Sequence, residues 1–329
     1  MKRTIILLAV FLIAGSAFAE FSKVGSAGAQ FLKIGVGSKY LAMGDASVAV
    51  ANDIYSAYWN PAGLADIENS EASFTNVNWI LDVNLNYVAL AHYFEDFGTV
   101  GVSATVLSMG DQEITTFEQQ DGTGDYYSAT SYAVGLSFSK YLTNRFAFGT
   151  TVKYIGERID KTNASGFAFD FGTMLHTGFR SLRLGMSISN LGPEMKFSGP
   201  DLNVGYQQDP NGPTTGAELK ATAYNLPMTF RVGMAYDFEM SSNSMLTVAT
   251  ELKHPNDNVQ QGGVGAEFSF QRQYFLRGGY KLNYEEEGLT LGGGIRTALA
   301  SETRLVIDYA WQDFGRLDNT HLFSVGFTF

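Results

Sequence analysis

The 329-residue chain has no cysteine, only seven prolines, and a charged fraction of 17%. The missing thiols exclude disulfides, thiolate metal sites, cysteine nucleophiles and an acylated N-terminal cysteine. Soluble globular domains are about one quarter charged, so this chain is short of ionic surface. Basic residues are outnumbered, 22 Lys and Arg against 33 Asp and Glu, for a formal charge of −11. That balance argues against a nucleic-acid partner, because phosphate binding needs clustered cations. Beyond the N-terminus no apolar run approaches the roughly 20 residues of a spanning helix. Any membrane residence must therefore be as strands.

The N-terminus has the pattern of an export signal. Lys2 and Arg3 precede an apolar stretch from Ile5 to Ala14, and Ala17-Phe18-Ala19 forms an A-x-A site. Cleavage between Ala19 and Glu20 is expected, which removes two cations and leaves a charge of −13. Residues 1–19 are then the signal peptide.

What the chain has in quantity is glycine, 36 residues, and aromatics, 14%. Both suit an all-β protein with tight turns. From Glu71 onward, segments alternate apolar with small or polar residues at period two. Fourteen segments are expected, centred near Thr75, Val88, Ser103, Val134, Gly149, Phe169, Leu184, Val232, Val248, Glu267, Gly278, Gly292, Ile307 and Val325. One face is rich in Phe, Tyr and Leu. The other carries small residues and sparse charges of both signs: Lys153, Asp170, Arg183, Arg231, Glu251, Glu267, Arg277, Lys281, Arg296, Arg304 and Asp308. A soluble sandwich would turn its apolar face inward and charge its outer face densely. Paired charges among small residues fit a polar lumen, and the aromatic face fits lipid. In hydrocarbon every backbone group needs a partner, so the sheet must close.

The connections support this. Short turns are expected near Glu95–Gly98, Tyr141–Asn144, Thr177–Arg180, Gln271–Gln273 and Ala300–Glu302. Longer links are expected near Met109–Asp125, Gly156–Ser165, Gly192–Leu226, Pro255–Gln261 and Asp313–Asp318. Asp237–Asn243 reads as intermediate and Tyr284–Glu287 as short. Short turns on one rim and loops on the other characterise single-chain outer-membrane barrels. The expected architecture is an antiparallel transmembrane barrel of about fourteen strands over residues 71–329. Residues 20–70 form an N-terminal hatch of short helices plugging it.

The hatch assignment rests on Gly35–Ala65. Pro61 breaks the chain, Asn52 and Asp53 can cap a turn over Ile54–Tyr58, and Gly63 permits another turn. Small residues fit a narrow lumen. Met43-Gly44-Asp45 and Trp59-Asn60-Pro61-Ala62-Gly63 are the candidate plug motif, with Trp59 as a rigid anchor. Together with Phe31–Gly37, these blocks resemble the N-terminal signature of the PorV/PorQ family within the FadL-like outer-membrane barrels. The specific match covers about Ala29 to Ala65. The resemblance implies fourteen strands around an N-terminal hatch, and for PorV relatives a role in type IX protein secretion. The last strand, with Phe323, Val325, Phe327 and a terminal Phe329, is similar to the signal that barrel-assembly machinery reads.

Enzymatic patterns were not found. His92, His176, His254 and His321 lack metal-ligand spacing, and no nucleophile elbow or zincin motif occurs. Gly35-Val36-Gly37 lacks a third phosphate-loop glycine, and Gly292-Gly293-Gly294 lies within a strand, where glycines allow close packing. Asp121–Asp125 lacks the closing Glu of a calcium loop, and Glu285-Glu286-Glu287 reads as a charged loop tip. A non-enzyme of the outer membrane is expected, with no cofactor, in contact with membrane lipid. Its partners would be secreted cargo or secretion-system proteins. Two alternatives are a channel for hydrophobic small molecules and a permanently plugged structural barrel. A channel would need a continuous apolar pocket.

Overall fold

The period-two alternation forms a closed ring of strands in the computed structural model, which describes residues 24–80, 83–207, 212–300 and 303–329. Eighteen strands occur among the described residues. The first eleven are β1 (Ser70–Asn78), β2 (Asn84–Phe94), β3 (Gly98–Ser108), β4 (Gln112–Glu113), β5 (Tyr126–Tyr127), β6 (Ala129–Thr143), β7 (Phe146–Ile159), β8 (Thr162–His176), β9 (Arg183–Leu191), β10 (Asn203–Tyr206) and β11 (Thr215–Glu218). There follow β12 (Thr229–Ser241), β13 (Ser244–Pro255), β14 (Gln261–Phe270), β15 (Tyr274–Leu282), β16 (Leu289–Ala298), β17 (Arg304–Gln312) and β18 (Thr320–Thr328). Fourteen of these make one antiparallel barrel, while β4–β5 and β10–β11 are small hairpins within links. All fourteen expected segment centres fall in the barrel strands.

The ring closes between β1 and β18, with Phe74 opposite Val325 and Asn78 opposite His321. Ser70 and Phe329 add a reciprocal pair of backbone bonds, each 2.9 Å. Outward positions carry exposed Phe, Leu, Val, Tyr and Met such as Val88, Leu136, Phe169, Met234, Leu276, Tyr280 and Phe323. Inward positions carry Ser, Thr, Gly and buried charges. This reverses a soluble core and matches a lipid-facing wall.

The links fall on the two rims in turn, and the longest ones share one rim. One rim has 95–97, 144–145, 177–182, 242–243, 271–273 and 299–303; the other has 79–83, 109–128, 160–161, 192–228, 256–260, 283–288 and 313–319. Two expectations are corrected. Gly156–Ser165 is not a long link, because β7 and β8 continue to a two-residue turn. The link over 192–228 supports that extended hairpin. Asn163 and Ser198 exchange backbone bonds of 2.8 Å, and the Asp201 carboxylate accepts from the Lys161 N–H at 3.0 Å. Asp237–Asn243 is not intermediate either, since β12 runs on through a bulge to Ser241. Residues 283–288 are a loop on the long-link rim.

Residues 29–67 are largely buried inside the ring, with short helical turns at Gln30–Lys33, Ser38–Leu41, Ser56–Trp59 and Pro61–Asp66. No helix among the described residues is long and apolar enough to cross a membrane. The expected turn over Ile54–Tyr58 is assigned to Ser56–Trp59, and Asp53 Oδ1 accepts from the Tyr55 N–H at 3.0 Å just before it. Asn60 caps the following turn, accepting from the Ala62 N–H at 3.2 Å, with Pro61 at its first position.

Candidate functional site

The hatch meets the wall at three places where the wall lacks side chains. A Cβ on Gly263, Gly265, Gly279 or Gly292 would strike the segment Ala42–Gly44. Gly185 and Gly233 make the same room for Val48, and Gly149 and Gly172 for Asn60–Ala62. The Met43-Gly44-Asp45 knob needs glycine itself: Gly44 has φ +64°, and a Cβ there would sit 2.8 Å from the backbone of Val264 and Tyr280.

Polar bonds tie each contact down. Thr290 Oγ1 accepts from the Gly44 N–H and donates to the Ala42 carbonyl, both at 3.0 Å. Asp45 pairs with Lys281 at 2.9 Å, and Lys281 also reaches Glu287. Glu251 is the densest joint. Its Oε2 accepts from the N–H groups of Ser47 at 2.9 Å and Val48 at 2.8 Å and from the Ser47 hydroxyl at 3.2 Å, while Oε1 pairs with Arg231 at 2.9 Å. The Arg231 guanidinium lies 4.9 Å from the Trp59 ring centre. Trp59 donates to the Val36 carbonyl at 2.8 Å, and Ser187 donates to the Trp59 carbonyl at 3.1 Å. Asn60 donates to Val48 and Thr173 carbonyls at 2.7 and 3.1 Å. At the short-turn rim Tyr141 donates to Asp66, and Ser139 donates to the Ala62 carbonyl at 3.0 Å. At the long-link rim Lys33 pairs with Asp257 at 3.0 Å, and the Gly28 N–H donates to Asn225. The hatch thus runs the length of the lumen.

Most charges proposed for the lumen are buried and matched. Lys153 pairs with Asp170 at 2.6 Å, and Arg277 bridges Glu267 at 2.6 Å and Asp308 at 2.5 Å. Arg183 lies towards the short-turn rim, paired with Asp237 at 2.7 Å. Arg296 and Arg304 are exposed near the same rim rather than buried in a pair. Sequence reasoning passed over Asp237, Asp257 and Glu71, whose carboxylate accepts from the Ile54 N–H at 2.9 Å. Only their position on inward or rim sites could have flagged them. Phe323, Phe327 and Phe329 point outward and exposed on β18 and its end, with Val325 between them less so. Ala19 and Glu20 lie outside the described residues.

Among the described residues, two small cavities lie between hatch and wall. A cavity of about 20 Å³ beside Leu32, Tyr58, Tyr87 and Lys153 and one of about 10 Å³ beside Asn190 and Arg231 are each near the size of a single water. Two larger clefts open at the short-turn rim. One of about 430 Å³ is bordered by Glu68, Asp96, Lys140 and Tyr141, and one of about 220 Å³ by Lys39, Asp53, Arg272 and Arg296. Among the described residues no group of His, Asp and Glu is placed to hold a metal ion.

The rims differ in charge. The long-rim links contain seventeen acidic and four basic residues, and the short-rim turns three of each. In loop 283–288, hydrogen bonds from Arg316 hold the Glu286 carboxyl below its ordinary pKa. In loop 192–228, burial raises the Tyr224 phenol well above its ordinary value, and its bond to Glu157 adds to the shift. Exposed Phe117, Tyr126 and Tyr206 stand on the same rim.

The profile of the family described as "Type IX secretion system protein PorV" matches residues 18–255. The chain belongs to the PorV family. Solved structures with the same fold are far from it in sequence. The Pseudomonas putida toluene transporter TodX aligns at TM-score 0.60 and 11% identity, covering 89% of this chain and 98% of that one. The Ralstonia pickettii toluene transporter TbuX gives 0.57 and 12%, covering 90% and 98%. A Pseudomonas aeruginosa FadL homologue gives 0.55 and 13%, covering 89% and 96%. No curated protein matches. This PorV-family chain is therefore a fourteen-stranded FadL-like transmembrane barrel with a lumen filled by its own N-terminal segment.

Proposed function

We propose that this PorV-family barrel is a plugged docking protein of type IX-like secretion, receiving cargo or secretion partners on its long-link rim, and not a solute channel or an enzyme. The observation that carries the reading is the filled lumen. A hydrocarbon or fatty acid needs an apolar pocket of some hundreds of Å³, and the inner cavities lined by the described residues named above are about 20 and 10 Å³. The larger clefts are bordered by charged side chains at the short-turn rim. Outer-membrane barrels place long loops outside, so the acidic, aromatic rim would face the exterior, where exported cargo arrives. The terminal strand ending at Phe329 would serve assembly.

The test is purification from native membranes in mild detergent, paired with flux assays in liposomes. Secretion components or exported proteins retained in stoichiometric amount, without toluene or fatty-acid flux, support the proposal. Saturable solute flux through the wild-type barrel overturns it in favour of a channel. Neither partner nor flux leaves a structural barrel.

A further inference from the structure

The apolar outer band has a polar notch. On the outward face of β1 and β2, the residues nearest the long-link rim are Asn76, Asn78, Asn84 and Asn86. On β3, β13, β14, β15, β16 and β18, the outward residue two or three places in from that rim is apolar or aromatic and exposed: Val106, Leu252, Val264, Tyr280, Leu291 and Phe323. Asn76 and Asn86 lie directly opposite each other, and the Asn76 amide donates to Asn86 at 3.0 Å. A carboxamide offers two donors and two acceptor lone pairs, so this single bond leaves most of their capacity facing outward. In hydrocarbon such groups need polar partners.

Beside the notch, β18 contributes His321, opposite Asn78, and β17 contributes Tyr309. Tyr309 and His321 are hydrogen-bonded at 2.8 Å with rings stacked 6.2 Å apart. Amides next to an aromatic platform suit the hydroxyls and C–H face of a sugar. The notch carries no carboxylate or ammonium, and the neighbouring loops are net acidic, which disfavours a bare phosphate. Two strand residues at about 3.3 Å each, on strands tilted by about 40°, put Asn76 and Asn86 about 5 Å below the rim. The headgroup layer of a bilayer is itself about 5–7 Å deep. The notch is within reach of a lipid's polar head.

We propose that this notch seats the sugar of a saccharide-headed lipid in the outward leaflet, held by Asn76, Asn78 and Asn86 against the Tyr309–His321 pair. The inference is independent of what the rim loops bind. The test uses the full-length barrel in nanodiscs containing phosphatidylcholine with equal amounts of digalactosyl diacylglycerol and phosphatidic acid, followed by native mass spectrometry of retained lipid. The wild type should retain the galactolipid in preference to both phospholipids. Asn76→Leu/Asn86→Leu, which only extends the apolar band, should lose about tenfold of that retention. Heat-modifiable migration checks that the barrel is closed, and the two single substitutions serve if the double one does not assemble. Equal galactolipid retention by wild type and variant, or preference for phosphatidic acid, overturns the proposal. So does a wild-type dimer that the double substitution dissolves, since a second copy would then own the notch.

Discussion

Replacing Glu251 with Ala should loosen the hatch around Ser47 without opening the barrel. Glu251 accepts three bonds from the hatch and pairs with Arg231, and both side chains are almost fully buried. Bonds to a charged acceptor are each worth about 1.5–3 kcal/mol. Some return as water enters, while Arg231 is left with an uncompensated charge, a change that costs about 3–5 kcal/mol in buried pairs. A net loosening of about 3 kcal/mol corresponds to roughly a hundredfold rise in local opening. The absence of cysteine makes the assay clean: Val50→Cys, a buried hatch position three residues from Ser47, is the only thiol. Its labelling by a polar maleimide should accelerate about a hundredfold in the Glu251→Ala background, with heat-modifiable migration unchanged. Adding Arg231→Met should recover part of the protection by removing the stranded cation. Less than a threefold acceleration in the Glu251→Ala background refutes the assignment of Glu251 as the hatch's main tether.

Gly44→Val should displace the hatch more severely, because it sets a β-branched side chain at positive φ against the β14 and β15 backbones. The expected readout is increased single-channel conductance from a folded barrel; unchanged conductance counts against a seated knob. Pro61→Ala should cost only about 0.4–1 kcal/mol, mainly through unfolded-chain entropy, so Val50→Cys labelling should change less than tenfold. Deleting Phe329 removes two backbone bonds at the closure seam. It should lower assembly yield in cells far more than refolding yield in detergent, and equal losses would remove the assembly-signal role. The Glu286–Arg316 bridge joins loops 283–288 and 313–319. Because Arg316 depresses the Glu286 pKa, the bridge should persist above pH 4.5 and be lost as pH falls below it. Fluorescence transfer between labels on the two loops reads this, and loss above pH 5 would contradict it.

The barrel was legible because lipid imposes period two on every strand. Phe167, Phe169 and Phe171 alternate with Ala168, Asp170 and Gly172 for that reason, and the strand centres followed. Boundaries were harder where neighbouring chain changes the rule. Gly156 and Ser165 look like turn residues, yet the link over 192–228 pairs with Asn163 and keeps β7 and β8 extended. The inward charges were visible as residues, but not their partners. Lys281 meets Asp45, more than two hundred positions away, and period two carries no information about which hatch atom reaches a given wall site. Gly292 reads as a packing glycine, and what it and the wall glycines Gly265 and Gly279 pack against became evident only with the hatch in place.

Those glycines also bear on whether the hatch is a gate. A gate must leave its seat at a cost thermal motion can meet, a few kcal/mol for a minor state populated at the per cent level or just below. This hatch makes about a dozen direct hydrogen bonds or ion pairs to the strands, from Ser38 with Ser324 to Asp66 with Tyr141. At about 0.5–1.5 kcal/mol each, whole-hatch ejection is on the order of ten kcal/mol before apolar contact is counted. Ejection would also bare the glycine patches, whose backbone has no side chain to fill the gap. Local loosening, such as Glu251→Ala should produce, is reachable; clearing the lumen is not. That cost accords with the proposed docking role, in which the hatch is part of the barrel's core and partners meet the rims.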